Sequence, residues 1–229
     1  MSLTNGLEVD HLAYADDADL MGESLIGRDV QLDRFNGAGG RIGLEVSEGK
    51  TKALKSARDE RQEDFIELGG FLIEEVDRFR YLGSIVRCDT SMEDEVDTRI
   101  AAASKCSWAV KSLFQSRLLS RTTKVQVYVT IVRPVATYAC ECWALTKELE
   151  RRLLVFEHGI LRRILGPVRD EETGQWRRQH NRELRDLTPL PPITSYVRSQ
   201  RLACSVACWT ADLQAADHQA GRASGGPTA

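Results

Sequence analysis

The chain has 229 residues, of which 42% are hydrophobic and 28% charged, and its formal net charge is −3. This length allows one large domain or two small ones, with enough apolar residues for a buried core. No apolar run approaches the roughly 18 residues that a membrane span requires, and the first residues lack the basic and apolar regions of a secretion signal. We therefore expect a globular intracellular protein, nuclear or cytoplasmic, without a membrane partner.

The charges are distributed unevenly along the chain. Residues 1–100 carry 12 basic and 23 acidic residues, whereas residues 101–229 carry 19 basic and 11 acidic residues. An acidic part is suited to holding cations, and a basic part is suited to meeting phosphate backbones. Solvated helix faces explain the same imbalance, and charge alone favours that simpler explanation.

The first stretch, from Leu7 to about residue 86, is predicted to be rich in β-structure with one helix. A partial alternation of apolar and polar residues, interrupted at residues 15–18, predicts a tight hairpin. Ser24 is a candidate N-cap for a helix with apolar residues near helical spacing, and glycines 37, 39 and 40 should weaken the end of that helix. Further strands are predicted at residues 42–46, 50–54, 65–68, 71–73 and 79–86.

From about Glu93 to Gly166 the apolar spacing becomes helical and few breakers occur. Gly166 and Pro167 are expected to end the last of these helices. Residues 167–200 are polar and basic, with three clustered prolines that indicate a connector, and the small polar tail after residue 216 is predicted to be disordered. The fold class is therefore α+β.

The most distinctive chemical feature is the adjacent pair Asp16 and Asp17 in the predicted hairpin turn. Two neighbouring carboxylates repel each other unless a cation neutralises them. Mg²⁺ prefers such hard oxygen ligands, and two Mg²⁺ ions can activate an attacking hydroxyl and stabilise a leaving oxygen. As an isolated dipeptide, however, Asp-Asp is most simply an ordinary turn.

The residues around this pair make a more specific interpretation possible. Tyr14-Ala15-Asp16-Asp17 resembles the Tyr-x-Asp-Asp catalytic hairpin of reverse transcriptases. Further matches follow in order, and the later ones are similar to the region after the palm in non-LTR (LINE-type) retrotransposon polymerases: Gly43–Val46 with Lys50–Lys52; Phe79–Ser84; Lys124, Tyr128, Arg133-Pro134, Tyr138 and Glu141–Trp143; Phe156-Glu157, Leu161-Arg162 and Gly166-Pro167; Trp176-Arg177, Asn181 and Glu183-Leu184. The resemblance spans about residues 7–202.

The resemblance implies roles for the residues of the predicted hairpins. Asp16 and Asp17 would be catalytic ligands of two Mg²⁺ ions, with Tyr14 and Ala15 completing the active-site hairpin. Lys50 would lie near the triphosphate, although a solvated loop lysine is an equal alternative. The primer grip would be formed by Tyr81, Leu82 and Gly83, and plain core packing is the alternative for Leu82.

The resemblance also implies a division of the chain and its partners. Residues 1–90 would be a partial palm, residues 91–166 a helical thumb, residues 167–216 a basic extension and residues 217–229 a disordered tail. In the thumb, basic side chains would follow the backbone of the RNA template and DNA primer, with solvated helix faces as the default alternative: Lys105, Lys111, Arg117, Arg121 and Lys124.

The implied activity is RNA-directed DNA polymerisation, a nucleotidyl transfer from dNTPs. In this family the fingers and a further essential Asp precede the Tyr-x-Asp-Asp hairpin, and only 13 residues precede Tyr14 here. We therefore expect a C-terminal fragment with an incomplete Mg²⁺ site that is inactive alone. The alternatives are a nucleic-acid-binding remnant without chemistry, and an element remnant with no selected function.

Overall fold

The computed structural model describes residues 11–22, 25–55 and 65–207. The chain divides into two compact units, Met1–Ser91 (unit 1) and Met92–Ala229 (unit 2). Unit 1 contains small sheets and one helix, and unit 2 is dominated by helices. The predicted α+β class is confirmed.

The described strands of unit 1 form three small sheets. β1 pairs antiparallel with β2, β6 pairs antiparallel with β7, and β5 lies between β4 (antiparallel) and the short β3 (parallel). Their bounds are His11–Tyr14 (β1), Asp17–Leu20 (β2), Lys52–Ala53 (β3), Phe65–Leu68 (β4), Phe71–Glu75 (β5), Arg78–Tyr81 (β6) and Ser84–Arg87 (β7).

Tight turns define the hairpins of unit 1. The β4–β5 loop is Gly69-Gly70, with φ of 58° and 76°, and the β6–β7 loop is Leu82-Gly83, with φ of 47° and 87°. Positive φ at both central residues is characteristic of the type I′ turn, whose twist matches that of paired strands. Glycine adopts these angles without steric cost at three of the four positions, whereas Leu82 lies in the left-handed region that a residue with a Cβ rarely adopts.

A single helix, α1 (Leu25–Gly40), supports the central sheet of unit 1. Leu32 of α1 is buried with Ile66, Leu68 and Ile73 of the sheet. The side chain of Asp29 accepts a hydrogen bond from the backbone N–H of Gly69, so α1 also holds the β4–β5 turn. The predicted cap Ser24 lies outside the described residues.

Helix α1 ends at Gly40, within the run of glycines that is expected to weaken its end. Two strand predictions for unit 1 are wrong: the one at residues 42–46, and the one at 79–86, which is a hairpin with its turn at Leu82-Gly83. Residues 42–46 form a loop instead of a strand, because Gly43 adopts a φ of 79° and the neighbouring Ile42 is 75% exposed with no partner strand. Of the strand predicted at residues 50–54, only the two residues of β3 are in a strand.

Unit 2 is built from helices joined by short connections. A single π-helical turn, Tyr128–Val132, separates α4 from α5, and a small hairpin of β8 (Val168–Arg169) and β9 (Trp176–Arg177) precedes α7. The helices are α2 (Glu93–Ala109), α3 (Lys111–Gln115), α4 (Arg121–Val127), α5 (Arg133–Ala136), α6 (Lys147–Leu165), α7 (Asn181–Leu187) and α8 (193–207). Residues 167–200 are therefore more structured than the predicted connector.

The long helix α6 ends where its sequence predicts and begins at a side-chain cap. The hydroxyl of Thr146 accepts a hydrogen bond from the backbone N–H of Leu149 at 3.3 Å, which caps the first turn. Arg162 and Arg163 in the last turn complement the negative end of the helix dipole. Gly166, with a φ of 78°, stops the helix as predicted.

The core of unit 2 contains a buried polar network. Glu157 of α6 is 3% exposed and accepts hydrogen bonds from the hydroxyl of Tyr128 at 2.8 Å and the backbone N–H of Ile193 at 2.9 Å. Arg133 donates to the carbonyl of Pro191 at 2.8 Å and stacks on Tyr196. These contacts fix the start of α8 against the helices before it.

No helix within residues 11–22, 25–55 and 65–207 is long and apolar enough to cross a membrane.

Candidate functional site

The Tyr14–Asp17 segment forms the tip of the β1–β2 hairpin. Tyr14 pairs with Asp17 across the strands, so Ala15 and Asp16 make a two-residue turn. Ala15 has a φ of 55°, in the left-handed region that a residue with a Cβ rarely adopts. The local geometry therefore presents Asp16 in the turn and Asp17 as the first residue of β2.

One face of this hairpin combines apolar and acidic side chains. Cross-strand partners share a face, so Tyr14 and Asp17 lie on the same side as the pair Leu12 and Asp19. Tyr14 is 68% exposed, and Asp16, Asp17 and Asp19 are exposed as well. Asp16 and Asp17 have Cα atoms about 3.8 Å apart, as consecutive residues do, so their carboxylates are free to approach the same solvent-borne ligand.

The β6–β7 hairpin places Tyr81 within electrostatic reach of Asp19 and Asp17. The pKa of Tyr81 is raised above its usual value, first by partial burial and then by the negative charges of Asp19 and Asp17. Leu82 and Gly83 form the turn that follows Tyr81, and Leu82 is 41% exposed. Core packing, the alternative for Leu82, is therefore wrong.

Lys50 occupies an exposed turn in which its backbone N–H donates to the carbonyl of Ser47 at 3.1 Å. Among the described residues it has no ion-pair partner. The structure thus leaves Lys50 as a solvated loop lysine and does not bring it into an ion pair with Asp16 or Asp17.

The carboxylates fit a divalent cation as a partial site. Adjacent, exposed carboxylate oxygens are the ligands that Mg²⁺ uses when water and substrate phosphates complete its shell. No group of three or more His, Cys, Asp or Glu side chains in the described part of the chain converges as a metal cage. Asp16 and Asp17 would therefore hold the cation jointly with its bound phosphates, and not as a dedicated protein cage.

The five predicted basic residues of the thumb lie along the first helices of unit 2. Lys105 is on α2, Lys111 on α3, Arg121 and Lys124 on α4, and Arg117 between α3 and α4. All are exposed except the half-buried Lys124, and none has a carboxylate partner among the described residues. The ammonium of Lys111 lies 4.5 Å from the ring centre of Trp108, which is 54% exposed.

A second basic group was missed by sequence reasoning. His158 and Arg162 are one turn apart on α6, and Arg178 and Arg185 come from the segment around α7. Only the His158–Arg162 spacing of four residues was readable from sequence, as a pair on one helix face. The approach of Arg178 and Arg185 depends on tertiary packing.

The comparisons with known proteins agree with part of this interpretation. No family model matches the chain, and no solved structure matches it. Over 200 residues the chain is 23% identical to a transposon-derived protein of Caenorhabditis elegans, an alignment that covers 86% of this chain and 71% of that protein. The molecule is thus an α+β protein with an exposed acidic hairpin. The similarity supports a transposon-related origin.

Proposed function

We propose that the chain is part of the RNA-directed DNA polymerase of a non-LTR retrotransposon. The supporting observation is the tip of the β1–β2 hairpin, where Asp16 and Asp17 are exposed side by side, and where the charges of Asp19 and Asp17 act on Tyr81 of the β6–β7 hairpin.

In this proposal Asp16 and Asp17 hold Mg²⁺, which supplies Lewis-acid activation of the primer hydroxyl and neutralises charge on the departing pyrophosphate. The residues of the chain position the reactants. Ala15 leaves room at the turn because its side chain is a single methyl group. Tyr81, Leu82 and Gly83 present a narrow type I′ turn against which a primer strand can lie.

Photo-crosslinking tests this placement without requiring turnover. A DNA primer ending in 4-thiothymidine is annealed to an RNA template, bound to the full chain and irradiated, and the linked peptides are identified by mass spectrometry. We expect links within residues 11–20 and 78–87. The same photoreactive base at the primer 5′ end is the control and should give links elsewhere. Identical peptides from both primers, or links confined to unit 2, would contradict the proposal.

The chain alone is not expected to incorporate dNTPs, because the described residues bring two adjacent carboxylates and no third metal-ligating side chain to one place. A primer-extension assay with Mg²⁺ checks this expectation. Metal-dependent extension that Asp16→Asn abolishes would show that the site is complete as it stands.

A second candidate function is nucleic-acid binding without chemistry. It is favoured by the five basic side chains from α2 to α4, which have no carboxylate partner among the described residues and are suited to phosphate contacts that are blind to sequence. The affinity of the chain for nucleic acid should then fall steeply with salt and be unaffected by Asp16→Asn. Absence of binding at low salt would reject it.

A remnant with no selected function should instead aggregate through exposed apolar side chains such as Leu12 and Leu44. A monodisperse preparation in light scattering would argue against a remnant.

A further inference from the structure

The structure places a group of cations together where α6 ends and α7 begins. Arg162 of α6 donates through Nε to the carbonyl of Gln179 at 3.0 Å and through its terminal nitrogen to the side-chain oxygen of Asn181. Arg185 donates to the carbonyl of Asn181 at 3.4 Å. Both guanidinium groups therefore donate hydrogen bonds to Asn181.

A cavity of about 400 Å³ opens beside these contacts. Arg162, Arg178, Gln179, His180 and Asn181 line it. The floor is fixed, because Gln179 is 5% exposed and its amide nitrogen donates to the carbonyl of Gly166 at 3.0 Å. Hydrogen bonds thus fix Arg162 and Gln179 in the lining, and Arg162 and Arg178 supply its guanidinium donors.

The cations of this group repel one another. Burial and the charge of Arg178 lower the pKa of Arg162, and burial together with the charges of Arg162 and Arg185 lowers the pKa of His158. No carboxylate acts on either group in the opposite direction. Like charges are held together here without an internal counter-charge.

The nearby carboxylates are already committed to another arginine. Glu183 forms two hydrogen bonds with Arg177, at 2.9 and 2.6 Å, and accepts a third from the backbone N–H of His180 at 2.7 Å. Asp170 lies 3.3 Å from the same guanidinium. Arg178 has no ion-pair partner among the described residues, so the excess positive charge faces the cavity.

We propose that this cavity, lined by Arg162 and Arg178, binds a backbone phosphate of a nucleic acid strand, with Arg185 adding positive charge beside it. A phosphate offers several acceptor oxygens, and it supplies the negative charge that the cluster lacks. Arg162 is held in place before the ligand arrives, which reduces the entropy lost on binding. The choice of nucleic acid over a free phosphate rests on the proposed function.

Fluorescence anisotropy with a labelled 20-nucleotide RNA strand and the full chain tests the site. Arg178→Gln should weaken binding about three- to tenfold at low salt, as expected for one lost charge-assisted contact, and Arg185→Gln should weaken it less because Arg185 does not line the cavity. Arg178→Gln should also reduce the slope of log affinity against log salt by roughly 0.7. Arg162 is left unchanged because it also joins α6 to α7.

Arg198→Gln is the matched control. It also removes one positive charge from unit 2, but Arg198 is paired with Glu150 at 2.6 Å. Glu150 lies twelve residues before Arg162 on α6, which places this ion pair roughly 18 Å from Arg162 along the helix axis. This variant should change affinity less than about twofold, because its charge is already neutralised. Near-ultraviolet circular dichroism of each variant confirms that the fold is retained.

Equal losses for Arg178→Gln, Arg185→Gln and Arg198→Gln would overturn the proposal, because they would indicate a general charge effect. A variant-sensitive affinity for inorganic phosphate combined with unchanged RNA binding would overturn the nucleic-acid assignment. Vesicle binding that depends on these arginines, without RNA binding, would do the same. Asp16→Asn should leave all these results unchanged, so failure of the metal hairpin and failure of this cavity are distinguishable.

Discussion

Unit 1 and unit 2 differ in how their described residues are held in place. Seventeen buried apolar side chains form one core in unit 2, whereas five form the core of unit 1. In unit 1, apolar side chains such as Ile42, Phe65 and Leu72 are more than half exposed. The helices of unit 2 are therefore maintained by packing, and the hairpins of unit 1 by turn geometry and strand pairing.

This difference has a consequence for the candidate sites. The acidic hairpin of unit 1 is a local structure, so its geometry is encoded within a few residues. The basic cavity of unit 2 depends on α6 and on the chain before α7 being packed correctly. Changes in the core should disturb the second site more than changes in exposed positions do.

The largest expected effect comes from removing a side chain from the core of unit 2. Leu153 is 0% exposed, and Leu153→Ala should lower the free energy of unfolding by about 3 kcal/mol through lost burial and a residual cavity. Val155 lies two residues further along α6 and is 58% exposed, so Val155→Ala should cost less than about 0.5 kcal/mol. All four tryptophans belong to unit 2, and urea unfolding followed by their fluorescence measures both variants. Equal losses would show that this core is not closely packed.

The buried network should give the next largest effect. Tyr128→Phe removes the donor at 2.8 Å from Glu157 and leaves a buried carboxylate oxygen with one partner fewer. We expect a loss of about 1–3 kcal/mol in the same unfolding measurement. A neutral Tyr128→Phe would mean that water replaces the lost hydroxyl.

Turn substitutions test whether local backbone geometry maintains unit 1. Gly83 has a φ of 87°, so Gly83→Ala should destabilise the β6–β7 hairpin by about 1 kcal/mol. Gly37 lies inside α1 with open space around it, and Gly37→Ala should stabilise that helix by up to about 1 kcal/mol. Hydrogen exchange of peptides covering residues 78–87 and 25–40 reports each effect. Slower exchange in the hairpin after Gly83→Ala would reject this explanation.

The smallest effect concerns pH and the exposed cap of α7. Hydrogen bonds from Arg177 and then from the backbone N–H of His180 lower the pKa of Glu183 to about 2. Because the folded pKa lies below the unfolded value of roughly 4.3, the stabilisation is complete above that value and is lost as pH falls towards 2. Glu183→Gln should therefore lower the melting temperature slightly at pH 7, and the difference from wild type should disappear near pH 2. A difference that persists there would point to lost geometry and not to charge.

Sequence was most informative where structure depends on neighbouring residues. The Tyr14–Asp17 tip lies where its motif predicts, since a two-residue loop determines its own pairing. The end of α6 at Gly166 is also a local signal, because glycine readily adopts the positive φ found there. The α+β class follows from a change in apolar spacing near residue 93.

Sequence was least informative where distant parts of the chain decide the outcome. A strand at 42–46 required a partner that no described strand provides. The meeting of Arg162 with Arg178 depends on how the β8–β9 hairpin returns the chain to α6. No local pattern encodes that return.

The most direct test of the central claim is Mn²⁺ binding at the β1–β2 hairpin, followed by NMR of the ¹⁵N-labelled chain. Mn²⁺ replaces Mg²⁺ at oxygen sites and broadens the amide signals of nearby residues. We expect saturable broadening centred on residues 14–18, and excess Mg²⁺ should reverse it. Asp16→Asn and Asp17→Asn should each abolish the broadening, whereas Asp19→Asn should preserve it. Broadening that survives Asp16→Asn and Asp17→Asn, or that Asp19→Asn removes equally, would contradict a metal site formed by Asp16 and Asp17.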